Sequence, residues 1–194
     1  MQGMAPSGSL RPSILFWYGR FLTRLKRRAQ ALEAFGAVTR EDPRHQRAWS
    51  CLGFLLAERG QLDRAIEAFE RALALDPGDA ASHFNLAFLL QRAGRHEQAI
   101  PGFERAIRAD ASLDRAWYGL GLSLAHAGRL EEAAAGFEQA ARLRPDNPYA
   151  GYQLAGLWHR LGKRERLRAE YERVRGLDAK LAERIRVEFD LPPN

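Results

Sequence analysis

One stretch of this chain is written more than once, and that repetition constrains the fold more than any other feature. GQLDRAIEAFERALALDPGD at 60–79 returns as GRLEEAAAGFEQAARLRPDN at 128–147, two steps of a 34-residue period. The intermediate step is present too: Ala65, Ala99 and Ala133 keep the interval, as do Phe69, Phe103 and Phe137, Ala72, Ala106 and Ala140, and the glycines Gly60, Gly94 and Gly128. One step back the same slots hold Ala31, Phe35, Val38 and Pro43; one step forward they hold Leu167, Tyr171 and Val174. Five units fit, with the outer two degenerate. A fixed period of this length means stacked supersecondary units, each too small to bury its apolar face alone.

Within a unit the apolar residues recur at three- and four-residue intervals in two runs. Trp49, Leu52, Gly53 and Leu56 make the first; Gly60 interrupts, and Ala65, Phe69, Ala72 and Leu73 make the second. Two short antiparallel helices are therefore predicted. Asp76-Pro77 and Arg144-Pro145 close the second helix, since proline lacks an amide donor and disfavours helix in the residue before it. Gly53, Ala87 and Gly121 allow close helix approach. Pro101 falls about one turn inside a second helix, where a slight bend without a break is expected.

The pattern Trp49…Leu52-Gly53…Leu56…Ala65…Phe69…Ala72…Pro77, matched by Trp117…Leu120-Gly121…Leu124…Ala133…Phe137…Ala140…Pro145, resembles the tetratricopeptide repeat (TPR), in the form of a small bacterial-type TPR protein. The middle copy departs from it with His83 in the Trp slot and Ala111 in the Pro slot. The resemblance covers about residues 12–181. It implies an all-α, right-handed superhelical solenoid of about five helix-turn-helix units (12–45, degenerate; 46–79; 80–113; 114–147; 148–181, degenerate). A flexible N-terminus over 1–11 and a C-terminal cap and tail over 182–194 complete the expected organisation. It also implies a concave groove, lined by the first helices, that holds a peptide or partner helix.

Residues flanking the packing stripe would face that groove: Arg47, Ser50, Phe54 and Glu58; Phe84, Asn85, Phe88 and Arg92; Arg115, Tyr118, Leu122 and His126; Tyr149, Tyr152, His159 and Arg160. Phe54, Phe84, Phe88, Tyr118 and Tyr152 are expected to form an aromatic strip bordered by Arg47, Arg92, Arg115 and Arg160. Aromatic and arginine side chains are the types enriched at binding hot spots. The expected partner is a protein or peptide with apolar or aromatic and acidic residues; the alternative is that the aromatics pack between first helices and the arginines are solvated. A carboxylate clamp of the kind some TPR domains carry is not formed: Asn85 and Arg115 fit, but Ser50, Phe54 and Gly119 do not.

The ends differ from the middle. The net charge of +6 is concentrated in the two ends, residues 1–45 and 148–194, while residues 46–147 carry more acids than bases; a nucleic-acid groove would carry its basic stripe along its length, which argues against one. SILFWYGRFLTRLKRR at 13–28 leaves three readings open for Phe16, Trp17, Phe21, Arg24, Lys26, Arg27 and Arg28. They form a degenerate cap, a helix on an anionic membrane surface, or a self-association face giving a homo-oligomer. The cap reading is preferred and the membrane surface disfavoured. AKLAERIRVEFDLPPN reads as a final amphipathic capping helix.

No enzyme chemistry is expected. His45, His83, His96, His126 and His159 lack metal-ligand spacing, no phosphate loop or nucleophile elbow is present, and no cofactor or metal is called for. For His126 and His159 two readings are open, neighbours across adjacent first helices or two separate groove-edge polar residues, and the second is preferred. The single cysteine, Cys51, makes no internal disulfide and reads as a small apolar filler in a reducing, cytoplasmic setting. No apolar run is long enough to span a bilayer or mark a secretory signal. Arginine's excess over lysine fits a GC-rich bacterial coding bias. The function expected is a non-enzymatic adaptor; the alternative is a membrane-surface or complex-assembly factor recruited through the basic aromatic N-terminal helix.

Overall fold

The structure, a computed structural model, describes residues 11–192; most of the expected flexible segment 1–11, and Pro193 and Asn194 of the expected tail, lie outside the described residues. Among the described residues there are eleven α-helices and no strand: α1 Pro12–Arg24, α2 Arg28–Glu41, α3 Gln46–Glu58, α4 Leu62–Leu75, α5 Ala80–Arg92, α6 His96–Ala109, α7 Asp114–His126, α8 Leu130–Leu143, α9 Tyr149–Arg160, α10 Arg164–Leu177 and α11 Ala179–Glu188. They group into two compact units, one ending at Ser82 and one beginning at His83.

In the first unit α1 packs on α2, α2 on α3 and α3 on α4. Its core joins Phe16, Leu22, Ala31, Phe35, Val38, Ala48 and Leu55. Phe16 is buried against Phe35 and His45, ring centroids 5.8 and 4.5 Å away. This is the inward packing that the cap reading expects, and it takes Phe16 out of the candidate membrane or self-association face: it shares a helix face with Gly19 and Leu22, both buried. In the second unit α7 packs on α6 and α8, α9 on α8 and α10, and α11 against both α9 and α10.

The hairpins repeat because a few local devices repeat. After each first helix the chain turns through a left-handed residue, Gly60, Gly94, Gly128 or Gly162, with φ between 68° and 78°. The amide of the next residue reaches back to a last-turn carbonyl: Gln61 to Leu56, Arg95 to Leu90, Arg129 to Leu124, Lys163 to Trp158, at 2.8–3.0 Å. This satisfies carbonyls that the helix end leaves open. In the first hairpin the same slot is Lys26, still at φ 59°.

Packing follows the small-large pairing. A Cβ at Gly53 would sit 3.0 Å from the Phe69 ring, and one at Gly121 3.0 Å from the Phe137 ring, so each buried Phe lies in a hollow that only glycine leaves. The indoles of Trp49 and Trp117 donate to the carbonyls of Pro43 and Ala111, both at 3.0 Å, tying each first helix to the loop before it. Pro101 lies inside an unbroken α6, as expected.

Candidate functional site

Each first helix presents a row of side chains that the core does not use, and the two units are taken separately. In the first unit Arg47 and Phe54 stand exposed on α3. Ser50 does not join them as a free groove residue: it bonds Ser82 at 2.9 Å, and Asp79 accepts from both Ser82 and Gln46, at 2.6 and 2.8 Å. Ser82 is fully buried in a slot that is Ala48, Ala116 and Ala150 elsewhere, so its hydroxyl requires such a partner.

In the second unit the aromatic residues divide into three settings. Phe84 rests on buried Phe103, centroids 6.0 Å apart, and stacks with Phe88 at 6.1 Å and an interplanar angle of 13°. Phe88 is 43% exposed. Two guanidinium groups lie over these rings, Arg115 4.8 Å from Phe84 and Arg92 6.0 Å from Phe88. The attraction of cation to ring face holds both arginines over the aromatic surface. Asn85, half-buried, shares α5 with them.

Tyr118, on α7, is half-buried edge-on to Phe137 at 5.3 Å, and its hydroxyl accepts from Gln153 at 3.2 Å. Tyr152, on α9, meets α11: its hydroxyl donates to Glu188 at 2.6 Å and accepts from Arg184 at 3.3 Å, while the Arg184 guanidinium lies 5.1 Å over its ring. The hydrogen bond to the Glu188 carboxylate is the main cause that raises the Tyr152 pKa, since ionising the phenol would forfeit it. The slot held by Phe54, Phe88 and Leu122 is Gly156 in α9. There Phe189 supplies the ring instead, its edge 3.3 Å from where a Cβ would stand.

His126 and His159 line one cavity as neighbours across adjacent first helices, while each ring stacks elsewhere. His126 stacks on His96 at 3.9 Å with planes 7° apart, while His159 lies on Phe189 at 5.3 Å. The reason is helix geometry: His126 closes α7 and His96 opens α6, so the turn ends meet, whereas α11 takes the surface beside His159. Burial first, then the neighbouring His126, lowers the His96 pKa. A cavity of about 350 Å³ is lined by Leu122, His126, Tyr152, Gly156, Arg160 and Phe189, among others, bringing Arg160 and His126 to one recess. A larger open concavity of about 780 Å³ lies among α8, α9 and α10 and holds none of the expected site residues.

At the N-terminal end Trp17 and Phe21 are exposed, as are Arg24, Lys26 and Arg27; Arg28 is held by Glu58 at 2.6 and 3.0 Å. Among the described residues no helix is long and apolar enough to cross a membrane, and no group of three or more His, Cys, Asp or Glu is placed to hold a metal ion.

Sequence reasoning missed Gln91, whose amide donates to the Gly119 carbonyl at 2.9 Å and the Ser123 hydroxyl at 2.7 Å. The signal was present: Ser123 is buried where other copies have Leu55, Leu89 and Leu157, and Gln91 stands where they have Ala57 and Ala125. Arg184, Glu188 and Phe189 were missed as groove neighbours because they follow the last repeat, where the period offers no counterpart.

The geometry defines an α-helical repeat scaffold with half-exposed aromatic and cationic residues on its first helices. Tetratricopeptide repeat models match residues 45–112 and 84–148, together more than half of the chain, and the chain belongs to this family, with the all-α TPR solenoid as its fold class. Solved structures agree on the fold. A MamA fragment from Desulfovibrio magneticus RS-1 superposes with a TM-score of 0.80 at 20% identity, covering 89% of this chain and 97% of its own. YrrB, a TPR protein with an unusual peptide-binding site, gives 0.82 at 19% identity over 89% and 90%. MamA AMB-1 gives 0.78 at 23% over 87% and 99%. Among curated proteins none matches. The family is one of protein–protein interaction adaptors, generally without enzymatic activity.

Proposed function

We propose that this chain is a non-enzymatic, cytoplasmic adaptor of bacterial type that binds a partner peptide or helix on the first helices of its repeats. The centre of the site is Phe84, Phe88, Arg92 and Arg115, with Asn85 and Tyr118 beside it; His126, Tyr152 and Arg160 line the recess further along the second unit. Arg47 and Phe54 offer the same chemistry on the first unit. The observation that carries this reading is the stacked Phe84–Phe88 pair under two guanidinium groups. Phe88 lies outside the buried core and keeps 43% of its surface in water. A segment with an aromatic or aliphatic side chain next to a carboxylate satisfies both ring and arginine, because a carboxylate accepts from guanidinium N–H groups while its apolar neighbour packs on the rings.

A random-peptide selection on the full chain, counter-selected on the Phe88→Ala/Arg115→Ala variant, tests this. Expected are peptides pairing Phe, Trp, Tyr or Leu with Asp or Glu, their affinity falling about tenfold or more in the variant. Selected peptides indifferent to both substitutions, or basic in character, would show that the site lies elsewhere.

A further inference from the structure

We propose that the outward face of α1 is a docking surface for an anionic lipid bilayer. Its outer stripe is Ile14, Trp17, Tyr18, Phe21 and the cap residue Leu25, each 48–62% exposed, at the i, i+3, i+4, i+7 spacing of one helix face. The inner face, Phe16, Gly19 and Leu22, is already spent on the core. This inference stands apart from the peptide-site reading and does not depend on it.

Two ordinary explanations of such a face do not fit these residues. A face that receives a preceding hairpin carries small side chains in this family of slots. The counterparts of Ile14 are Ala48, Ser82, Ala116 and Ala150, all buried, and those of Trp17 are Cys51, Asn85, Gly119 and Gln153. Ile14 and Trp17 overfill both slots, so a further hairpin cannot seat in the repeat's register. A solvated cap carries polar residues there; this face carries three aromatics.

The charges select the occupant. Residues 11–32 contain no carboxylate, while Arg20 and Arg24 flank the stripe on one side, Arg11 on the other, and Lys26 and Arg27 follow its end. Arg20 lies 5.5 Å from the Trp17 ring. A second copy docked α1 against α1 would set like charges against like with no acid in residues 11–32 to answer them. An anionic leaflet meets every one of these features: aromatic rings settle at the headgroup level and flanking cations meet lipid phosphates and carboxylates. A helix of this length, about 20 Å, lies in the interface plane and does not span it.

The test is co-sedimentation of the full chain with large unilamellar vesicles of phosphatidylcholine alone or with about one-third phosphatidylserine, at low and high salt. The variants are Trp17→Ala/Phe21→Ala and Arg20→Gln/Arg24→Gln, all four side chains being exposed, with far-UV helicity and sedimentation velocity measured in parallel. Expected is binding to anionic vesicles only, weakened by salt and reduced about tenfold or more in each variant, with helicity unchanged. Equal binding to neutral vesicles, no vesicle binding, or binding that survives both substitutions would overturn the proposal. A concentration-dependent dimer abolished by Trp17→Ala/Phe21→Ala without vesicle binding would assign the face to a second copy instead.

Discussion

Phe137 and Phe88 offer the same chemical deletion in two settings, and truncating each to alanine should separate stacking from binding. Phe137 is fully buried, with its ring in the hollow left by Gly121 and in a T-shaped pair with Tyr118. Removing it forfeits the transfer energy of the ring and leaves a cavity that rigid helix backbones cannot close, about 3–5 kcal/mol. Against native stabilities of about 5–15 kcal/mol this is a large share. Phe88 keeps 43% of its surface in water, stacked with Phe84 and under the Arg92 guanidinium. Its deletion loses an aromatic pair worth about 0.5–1.5 kcal/mol and an exposed cation–π contact of about 0.5–1 kcal/mol. Because half-exposed contacts are partly replaced by water, a net cost of about 1–2 kcal/mol is expected. Urea unfolding followed by far-UV circular dichroism measures both, with attention to whether Phe137→Ala splits the transition, as a nearest-neighbour stack weakened at one hairpin can. Peptide capture should show the reverse order, Phe88→Ala losing it while Phe137→Ala, below its unfolding midpoint, largely retains it. If the two variants fall within about 1 kcal/mol of each other, Phe88 belongs to the core and the argument for a spare aromatic face fails.

Lys26→Gly should stabilise the first unit by about 0.5–1 kcal/mol in thermal or urea unfolding, since the left-handed turn residue that is glycine in four hairpins is a strained lysine here. Ser123→Leu restores the repeat's leucine but overfills a site built around the Gln91 amide; it should cost about 1–3 kcal/mol, and Gln91→Ala/Ser123→Leu should recover much of that in a double-mutant cycle. His96 has a folded pKa below its ordinary value of 6.5, so the unfolded chain takes up the proton first as pH falls. Stability present above 6.5 is therefore lost as pH drops through the window between the two values. His126→Gln removes the stacked partner and should flatten this part of the curve in unfolding experiments run from pH 7.5 to 5; an unchanged slope would mean that the stack has no electrostatic consequence.

The hairpin architecture was legible because it rests on local chemistry repeated in register. The same slots that carry Phe69, Phe103 and Phe137 in the sequence carry fully buried rings in the structure, and the glycines of the period all take the left-handed turn. The candidate site was legible in composition but not in contact. Tyr118, Tyr152 and Phe88 look alike as groove slots, and only the structure shows that Gln153 holds the first and Glu188 and Arg184 the second, while the third is left 43% exposed. The stacking of His126 on His96 was illegible for a related reason. A 34-residue period relates equivalent positions on successive first helices, whereas His96 and His126 meet at a turn between non-equivalent ones.

Departures from the period thus come in two kinds, and the difference carries the functional argument. Some arrive with their own compensation nearby: Ser82 with Ser50 and Asp79, Ser123 with Gln91, Gly156 with the ring of Phe189. Each is a local solution to a packing or hydrogen-bonding problem, and a partner molecule adds nothing to it. Others have no such answer. Phe88 under Arg92 and the Ile14, Trp17, Phe21 stripe among arginines hold apolar surface in water beside cations that form no ion pair among the described residues. Water imposes a free-energy cost on such surface, and neither stacking nor capping requires it. The two patches share a chemistry, apolar rings bordered by guanidinium groups, but differ in breadth. The first is a pair of rings, the width of one or two partner side chains; the second runs the length of a helix, the dimension of a surface rather than a peptide. Exchanging the two sets of neighbours tests that distinction directly. Trp17→Ala/Phe21→Ala should leave peptide affinity unchanged, and Phe88→Ala/Arg115→Ala should leave vesicle binding unchanged. Cross-sensitivity of either assay would mean that the two surfaces act as one.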